Sequence, residues 1–273
     1  MAEGRAAAAG ARRRRPPRRP GPPPPLDTDA ALFLDIDGTL LELAPTPALV
    51  HVHEDVTERL PALAHELDGA VALITGRAIA DADRLFPGLS LPIAGQHGTE
   101  RRSADGTIHR HRLPQPGIAR LRRELARFAA RHPGVTLEDK GATLALHYRQ
   151  APRLAAHVHR TMRAQVAAGA RGRAWRVQPG KGIVELRPDG RDKGTAIAEF
   201  MAEPPFRGRM PVFLGDDRTD EFGFAAVARM GGWSVKVGAG PTRARYRLPD
   251  VAAVRSWIAA VVAAPACRMT TSR

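Results

Sequence analysis

Ala30-Ala31-Leu32-Phe33-Leu34-Asp35-Ile36-Asp37-Gly38-Thr39 joins an unbroken apolar run to two aspartates, a glycine and a threonine. Such a run, closed by a turn signal, predicts a strand buried on both faces of a parallel sheet. Carboxylates are costly at the end of a buried strand, and a pair costs more because each disfavours ionisation of the other. Side chains two apart lie on one side of a strand, so Asp35 and Asp37 are expected to start side by side before Gly38 turns the chain. A divalent cation with oxygen ligands, Mg2+ above all, would relieve that conflict. On the pentapeptide Asp35–Thr39 alone, a loop in which Asp37-Gly38 is a turn and Asp35 a cap explains the pattern equally well.

Other apolar runs end in the same manner. Ala70-Val71-Ala72-Leu73-Ile74 leads into Thr75-Gly76-Arg77, and Leu91-Pro92-Ile93-Ala94 into Gly95-Gln96-His97-Gly98. Met210-Pro211-Val212-Phe213-Leu214 leads into Gly215-Asp216-Asp217, and Trp233-Ser234-Val235-Lys236-Val237 into Gly238. Helical patterns at 52–67, 192–202, 219–229 and 250–262 alternate with them. The alternation predicts an α/β fold whose parallel sheet is covered on both sides, with its ligand site outside the carboxyl ends of the strands.

Residues 106–186 read differently. Thr143-Leu144-Ala145-Leu146-His147-Tyr148 and Gly182-Ile183-Val184-Glu185-Leu186 resemble half-buried strands, with helices near 117–130 and 151–168. This predicts a smaller α+β unit inserted into the larger one, and a cleft between two such units is a usual ligand site. The expected boundaries are a disordered basic tail at 1–26, a core at 27–105 that resumes at 187–262, the insert at 106–186 and a second tail at 263–273.

Composition narrows the class. A chain of 273 residues with 43% hydrophobic content can bury a substantial core, and with 5% aromatics that core rests on Ala, Leu and Val. Cys267 is the single cysteine, which excludes an intrachain disulfide and points to a reducing cytoplasm. Seven arginines against Glu3 in residues 1–25, broken by prolines, give a solvated segment with no apolar face. The formal charge of +14 raises the alternative of a nucleic-acid-binding module, but aromatic-basic interleaving is absent and acids gather in the predicted cleft. No specific nucleic-acid partner and no membrane partner are expected. Pro179-Gly180-Lys181-Gly182 lacks the spacing of a nucleotide-binding loop.

Four strand-end or helix-start signals converge. Asp35 and Asp37 form the first; Thr75 and Gly76 offer a hydroxyl and backbone N–H groups for an anion. Lys193 opens a predicted helix with a compact positive charge suited to an oxyanion. Gly215-Asp216-Asp217-Arg218-Thr219-Asp220-Glu221 concentrates acids that a divalent cation would turn into ligands.

Asp35-Ile36-Asp37-Gly38-Thr39, Thr75-Gly76-Arg77, Lys193 and Gly215-Asp216-Asp217-Arg218-Thr219-Asp220 resemble the four motifs of the haloacid dehalogenase-like (HAD) phosphatases. Ala94-Gly95-Gln96-His97-Gly98, Glu138-Asp139-Lys140, Leu146-His147-Tyr148-Arg149 and the stretch from Pro179 to Pro188 resemble the trehalose-6-phosphate phosphatase family. The resemblance spans about residues 28–262. Ile36 replaces the tyrosine common in that family, at a position that should point away from the reacting pair.

The resemblance implies a Rossmann-like core with an inserted C2-type cap. It implies Asp35 as nucleophile, Asp37 as general acid and base, and Lys193 as charge neutraliser. Thr75, Gly76 and Lys193 would bind phosphate. Mg2+ would be held by Asp35, the Asp37 carbonyl and Asp216, with Asp217 and Asp220 as further ligands or holders of metal waters. Glu138, Lys140 and Glu185 would bind the sugar, with Arg77 and His97 in support; His97 is expected to shape its loop and Arg77 to brace the phosphate loop or form a structural ion pair. A monomer acting on a sugar phosphate and coupled to trehalose-6-phosphate synthase is expected; another sugar phosphate, such as sucrose phosphate or a phosphosugar acid, is the nearest alternative substrate.

Overall fold

The computed structural model describes residues 21–44, 49–111, 117–168, 175–180 and 182–263. The chain begins with strand Ala30–Leu34 (β1), helix Glu54–Glu66 (α1), strand Val71–Ile74 (β2) and helix Ile79–Leu85 (α2). Strands Ile93–Gly95 (β3), Glu100–Arg102 (β4) and Ile108–Arg110 (β5) follow. A second unit comprises helix Gly117–Ala130 (α3), strands Thr136–Asp139 (β6) and Leu144–His147 (β7), helix Ala155–Ala167 (α4), and strands Trp175–Gly180 (β8) and Ile183–Pro188 (β9). The chain then returns through Lys193–Met201 (α5), Met210–Gly215 (β10), Asp220–Arg229 (α6), Trp233–Val237 (β11), Tyr246–Leu248 (β12) and Val251–Ala263 (α7).

Strand β1 is central because both its edges and both its faces are occupied. It pairs in parallel with β10 and β2 within the order β12-β11-β10-β1-β2-β3-β4-β5. Alternate side chains serve opposite layers, as strand geometry requires. Leu32 and Leu34 join Leu60 and Leu63 of α1 and Val254 and Ile258 of α7. Ala31 and Phe33 join Ile197 and Phe200 of α5 and Phe224 of α6. The runs are therefore apolar without alternation because neither face meets water.

The smaller sheet, β6-β7-β9-β8, is antiparallel throughout and covered by helices on one face only. Leu144, Leu146, Val184, Leu186 and Trp175 pack on Leu121, Leu125 and Phe128 of α3 and on Val158 and Met162 of α4. Their neighbours along the strands, Glu138, Ala145, Glu185 and Arg187, take the other face. That face meets the larger unit.

The larger sheet was expected to be parallel, but β4 and β5 extend it with antiparallel pairing. The expected start of the insert at 106 is corrected by β5, which pairs with β4 in the larger sheet. At the other end, β9 continues two residues past the expected boundary at 186, because Leu186–Pro188 still pairs with β8. The disordered tail expected through 26 is corrected for its last residues. The carbonyl of Gly21 accepts from Arg247 N–H at 2.8 Å, that of Pro24 accepts from Trp257 Nε1 at 3.2 Å, and Leu26 packs on the apolar cluster beside β1. Residues 1–20 and 264–273 lie outside the described residues, and with them most of the two expected tails.

Phe33 is fully buried, with ring centroids 5.5 Å from Phe206 and 6.1 Å from Phe200. Its position at the strand that carries the first acidic turn makes it the anchor of the central layer. Phe33→Ala is expected to cost about 3–5 kcal/mol in urea unfolding followed by tryptophan fluorescence. A loss under about 1 kcal/mol would contradict this packing.

Candidate active site

Strand β1 stops at Leu34, so the alternation expected to bring Asp35 and Asp37 together does not reach Asp37. The Asp35 N–H still bonds to the Leu214 carbonyl at 3.1 Å, and then the Ile36 carbonyl accepts from the N–H groups of Thr39, Leu40 and Leu41. Gly38 has φ +82° in this turn, and a Cβ there would lie 2.3 Å from Asp216 Oδ2. Glycine is thus required both by the left-handed backbone and by the close approach of the β10 loop.

The two aspartates consequently meet different cations. Asp35, 3% exposed, accepts from Lys193 Nζ at 2.7 Å. Asp37 accepts from Arg77 Nε at Oδ2 and from Arg77 Nη2 at Oδ1, both at 2.6 Å. A two-pronged guanidinium pair fixes the orientation of the carboxyl plane as well as its place.

Lys193 is delivered by the start of α5. Asp192 caps that helix in a reciprocal box with Thr195, whose N–H donates to Asp192 Oδ1 at 2.9 Å. Gly194 follows, and a Cβ on it would stand 2.5 Å from the Phe222 carbonyl, so its absence lets α5 and α6 close together. Lys193 Nζ reaches Asp220 Oδ1 at 2.6 Å as well as Asp35. Burial alone would depress the ammonium, but Asp220 and Asp35 outweigh it and raise its proton affinity above that of an ordinary lysine.

Carboxylates still outnumber that cation. Ligand oxygens of Asp35, Asp216 and Asp220 lie within 4.8 Å of one another. Burial lifts the Asp35 carboxyl well above the aspartate range; Lys193 opposes the shift, while Asp220 and Asp216 add to it. Burial, with Asp220 beside it, pushes Asp216 up to about 6. An all-oxygen cluster with excess negative charge fits a hard divalent cation. Its members are unequal, however. Asp220 is fully buried and committed at both oxygens, Oδ1 to Lys193 and Oδ2 to the Asp217 N–H at 2.8 Å. Asp217 is exposed and outside the cluster, and the Asp37 carboxyl is turned to Arg77.

Thr75 is fully buried at the end of β2, and its Oγ1 accepts from the Arg77 N–H at 3.1 Å, which leaves the hydroxyl hydrogen to donate. Gly76 lies under the His97 ring: a Cβ there would be 2.8 Å from His97 Cε1. His97, in the left-handed region at φ +56°, also donates its backbone N–H to the Thr75 carbonyl at 3.0 Å.

From the smaller unit, Lys140 Nζ bonds to Glu185 Oε1 at 2.7 Å and approaches the Gly76 carbonyl at 3.5 Å. Glu185 Oε2 bonds to His97 Nε2 at 3.0 Å, and Glu138 Oε2 to His147 Nε2 at 2.7 Å. Burial would raise the Glu185 carboxyl, but Lys140 and His97 hold it well below the usual glutamate range. Burial lowers His97 against the pull of Glu185. Glu138, Lys140 and Glu185 are therefore assembled at one place, facing the loop of Thr75 and Gly76.

One contributor escaped the sequence reading. Lys236 on β11 is buried, and its ammonium is held by the carbonyls of Asp216 and Val237, the latter at 2.7 Å, which pins the acidic loop. Its signal was a lysine inside the apolar run Trp233–Val237, where a buried charge demands partners.

Residues 33–252 match the trehalose-phosphatase family. The chain is 44% identical over 239 residues to the trehalose-6-phosphate phosphatase of Escherichia coli (strain K12), covering 88% of this chain and 89% of that one. It is 44% identical over 233 residues to a probable trehalose-phosphate phosphatase of Sinorhizobium fredii, covering 85% and 87%. The C-terminal domain of a trehalose-6-phosphate phosphatase from C. albicans superposes with a TM-score of 0.77 over 86% of this chain and 92% of that one; at 20% identity the likeness is one of fold. Among the described residues no helix is long and apolar enough to cross a membrane. By its sequence match over most of its length, the chain belongs to the trehalose-phosphatase family of HAD-like enzymes.

Proposed function

We propose that this protein hydrolyses trehalose 6-phosphate to trehalose and phosphate through an aspartyl-phosphate on Asp35, in the last step of trehalose biosynthesis. The observation that carries the reading is the meeting of Lys140 and Glu185 with the loop of Thr75 and Gly76, which sets sugar-binding groups against a phosphoryl-transfer centre. Trehalose offers many hydroxyls and little apolar surface, so its recognition requires convergent polar groups of this kind.

Asp35 attacks phosphorus, and the bond from phosphorus to the sugar oxygen breaks as Asp37 gives that oxygen its proton. Arginine only donates, so the protonated form of Asp37 is the weaker partner of Arg77 and turns toward the leaving group. Water then attacks phosphorus, Asp37 takes its proton, and the bond to Asp35 breaks to release phosphate. Lys193 and the Thr75 hydroxyl neutralise and position the transferring oxygens, with Gly76 supplying a backbone N–H. Asp35, the Asp37 carbonyl and Asp216 would hold Mg2+, which when bound would supply positive charge to offset repulsion between the nucleophile and a phosphate dianion. Asp220 serves by holding Lys193, and Asp217 by its backbone N–H on Asp220. His97 and Arg77 support Glu185 and Asp37 respectively. The enzyme acts as a cytoplasmic monomer on the product of a trehalose-6-phosphate synthase.

Phosphate release from a panel of sugar phosphates tests the substrate. The kcat/KM for trehalose 6-phosphate should exceed those for sucrose phosphate and glucose 6-phosphate by at least about tenfold. Faster turnover of another member would reject trehalose 6-phosphate.

Metal binding has a readout of its own. Because Asp216 is raised to about 6, its protonation favours the folded state and this contribution is lost as pH rises through that value. A cation takes the ionised form, so Mg2+ should raise Tm more at about pH 7.5 than at about pH 5. Equal shifts at both pH values, or none, would contradict the ligand set.

A further inference from the structure

The face of the smaller sheet opposite its helices carries a row that extends beyond the residues already assigned. Strand register sets Glu138 opposite Ala145, Ala145 opposite Glu185, and Glu185 opposite Gln178. Directly opposed residues of antiparallel strands share a face, with Cβ atoms roughly 5 Å apart. Trp175 and Val177, the alternating residues of β8, pack with the apolar cluster beneath α3 and α4. Gln178 therefore stands on the cleft side with Glu138 and Glu185.

Its amide is oriented by a buried cation. Arg187, 2% exposed, donates from Nη2 to Gln178 Oε1 at 3.2 Å and from Nη1 to the Arg191 carbonyl at 2.9 Å. Its guanidinium lies 5.7 Å from the Phe222 ring, which ties this end of the row to α6 of the larger unit. Since arginine has no acceptor, only the oxygen of the Gln178 amide can face it. The NH2 group remains as a double donor, and among the described residues none accepts from it.

The neighbouring groups have the opposite character. The carboxylates of Glu138 and Glu185 accept only, and the Lys140 ammonium is engaged by Glu185. A sugar hydroxyl donates one hydrogen and accepts others, so a face of carboxylates leaves its lone pairs unmet. A carboxylate beside an amide donor matches a pair of adjacent hydroxyls. We infer that Gln178 is a specificity-determining residue of the sugar site: its amide NH2 donates to one hydroxyl of the bound sugar phosphate while Glu185 accepts from a neighbouring one. The inference rests on the sugar-phosphate reading proposed above and adds a group to it.

Two variants separate this role from bracing Arg187. Gln178→Glu keeps an acceptor for Arg187 and loses the donors, whereas Gln178→Met keeps the length and loses both. The readout is the ratio of kcat/KM for trehalose 6-phosphate to kcat/KM for p-nitrophenyl phosphate, which has no sugar. Both variants should lower that ratio about tenfold, mainly through KM for the sugar phosphate. A ratio retained in Gln178→Glu, or equal losses on both substrates in the two variants, would overturn the assignment. Native protein that cleaves p-nitrophenyl phosphate but not trehalose 6-phosphate would instead strike the proposed substrate, and the ratio would then be taken with the sugar phosphate that the panel prefers.

Discussion

The contact of Lys193 with both Asp35 and Asp220 is the interaction on which the rest of the site depends. It spans three elements far apart in sequence: the end of β1, the start of α5 and the start of α6. An ammonium and two carboxylates withdrawn from water are costly singly, and tolerable only when paired and hydrogen-bonded. Removing Lys193 would leave two buried acids beside Asp216. The fold arranges for its presence through a helix cap at Asp192 and the small residue Gly194, which lets the two helices approach. The remaining excess of negative charge is what makes the cluster receptive to a metal ion.

Much of the larger unit was legible because its strands are buried on both faces and so have no polar alternation to confuse the pattern. Asp35, Thr75 and Asp216 could be placed at strand ends for that reason. Strands β4 and β5 could not, since Glu100–Arg102 is a charged segment without an apolar run and Ile108–Arg110 is an exposed edge held by pairing rather than by burial. The pairing of Asp37 with Arg77 joins residues forty positions apart in the chain, and local spacing suggested instead that Asp37 would stand beside Asp35. The different depths of Asp217 and Asp220 follow from the turn into α6, which buries the latter under Lys193 and leaves the former in solvent.

The smaller unit reads less easily because a half-covered sheet makes its charged face look like ordinary solvent-exposed surface. Glu138, Lys140 and Glu185 were singled out by resemblance. Their electrostatics became clear only with the register of β6, β7, β9 and β8 and with His97 arriving from the larger unit. His97 is braced on Gly76 and bonded to Glu185, so the proposed sugar and phosphate subsites share a wall. In the proposed mechanism, substrate recognition and phosphoryl transfer are in this way adjacent, without a long relay between them.

The central claim is that Asp35 and Asp37, two positions apart in sequence, are divided by their cations into a nucleophile and a proton carrier. Its most direct test is mass spectrometry of acid-quenched Asp37→Asn protein mixed with trehalose 6-phosphate and Mg2+. Slowed hydrolysis should leave a phosphoryl group on the peptide that contains Asp35, and the adduct should be absent when Asp35 is also changed to asparagine. A phosphoryl group on another residue, or trehalose released with no adduct by a protein lacking Asp35, would contradict the account.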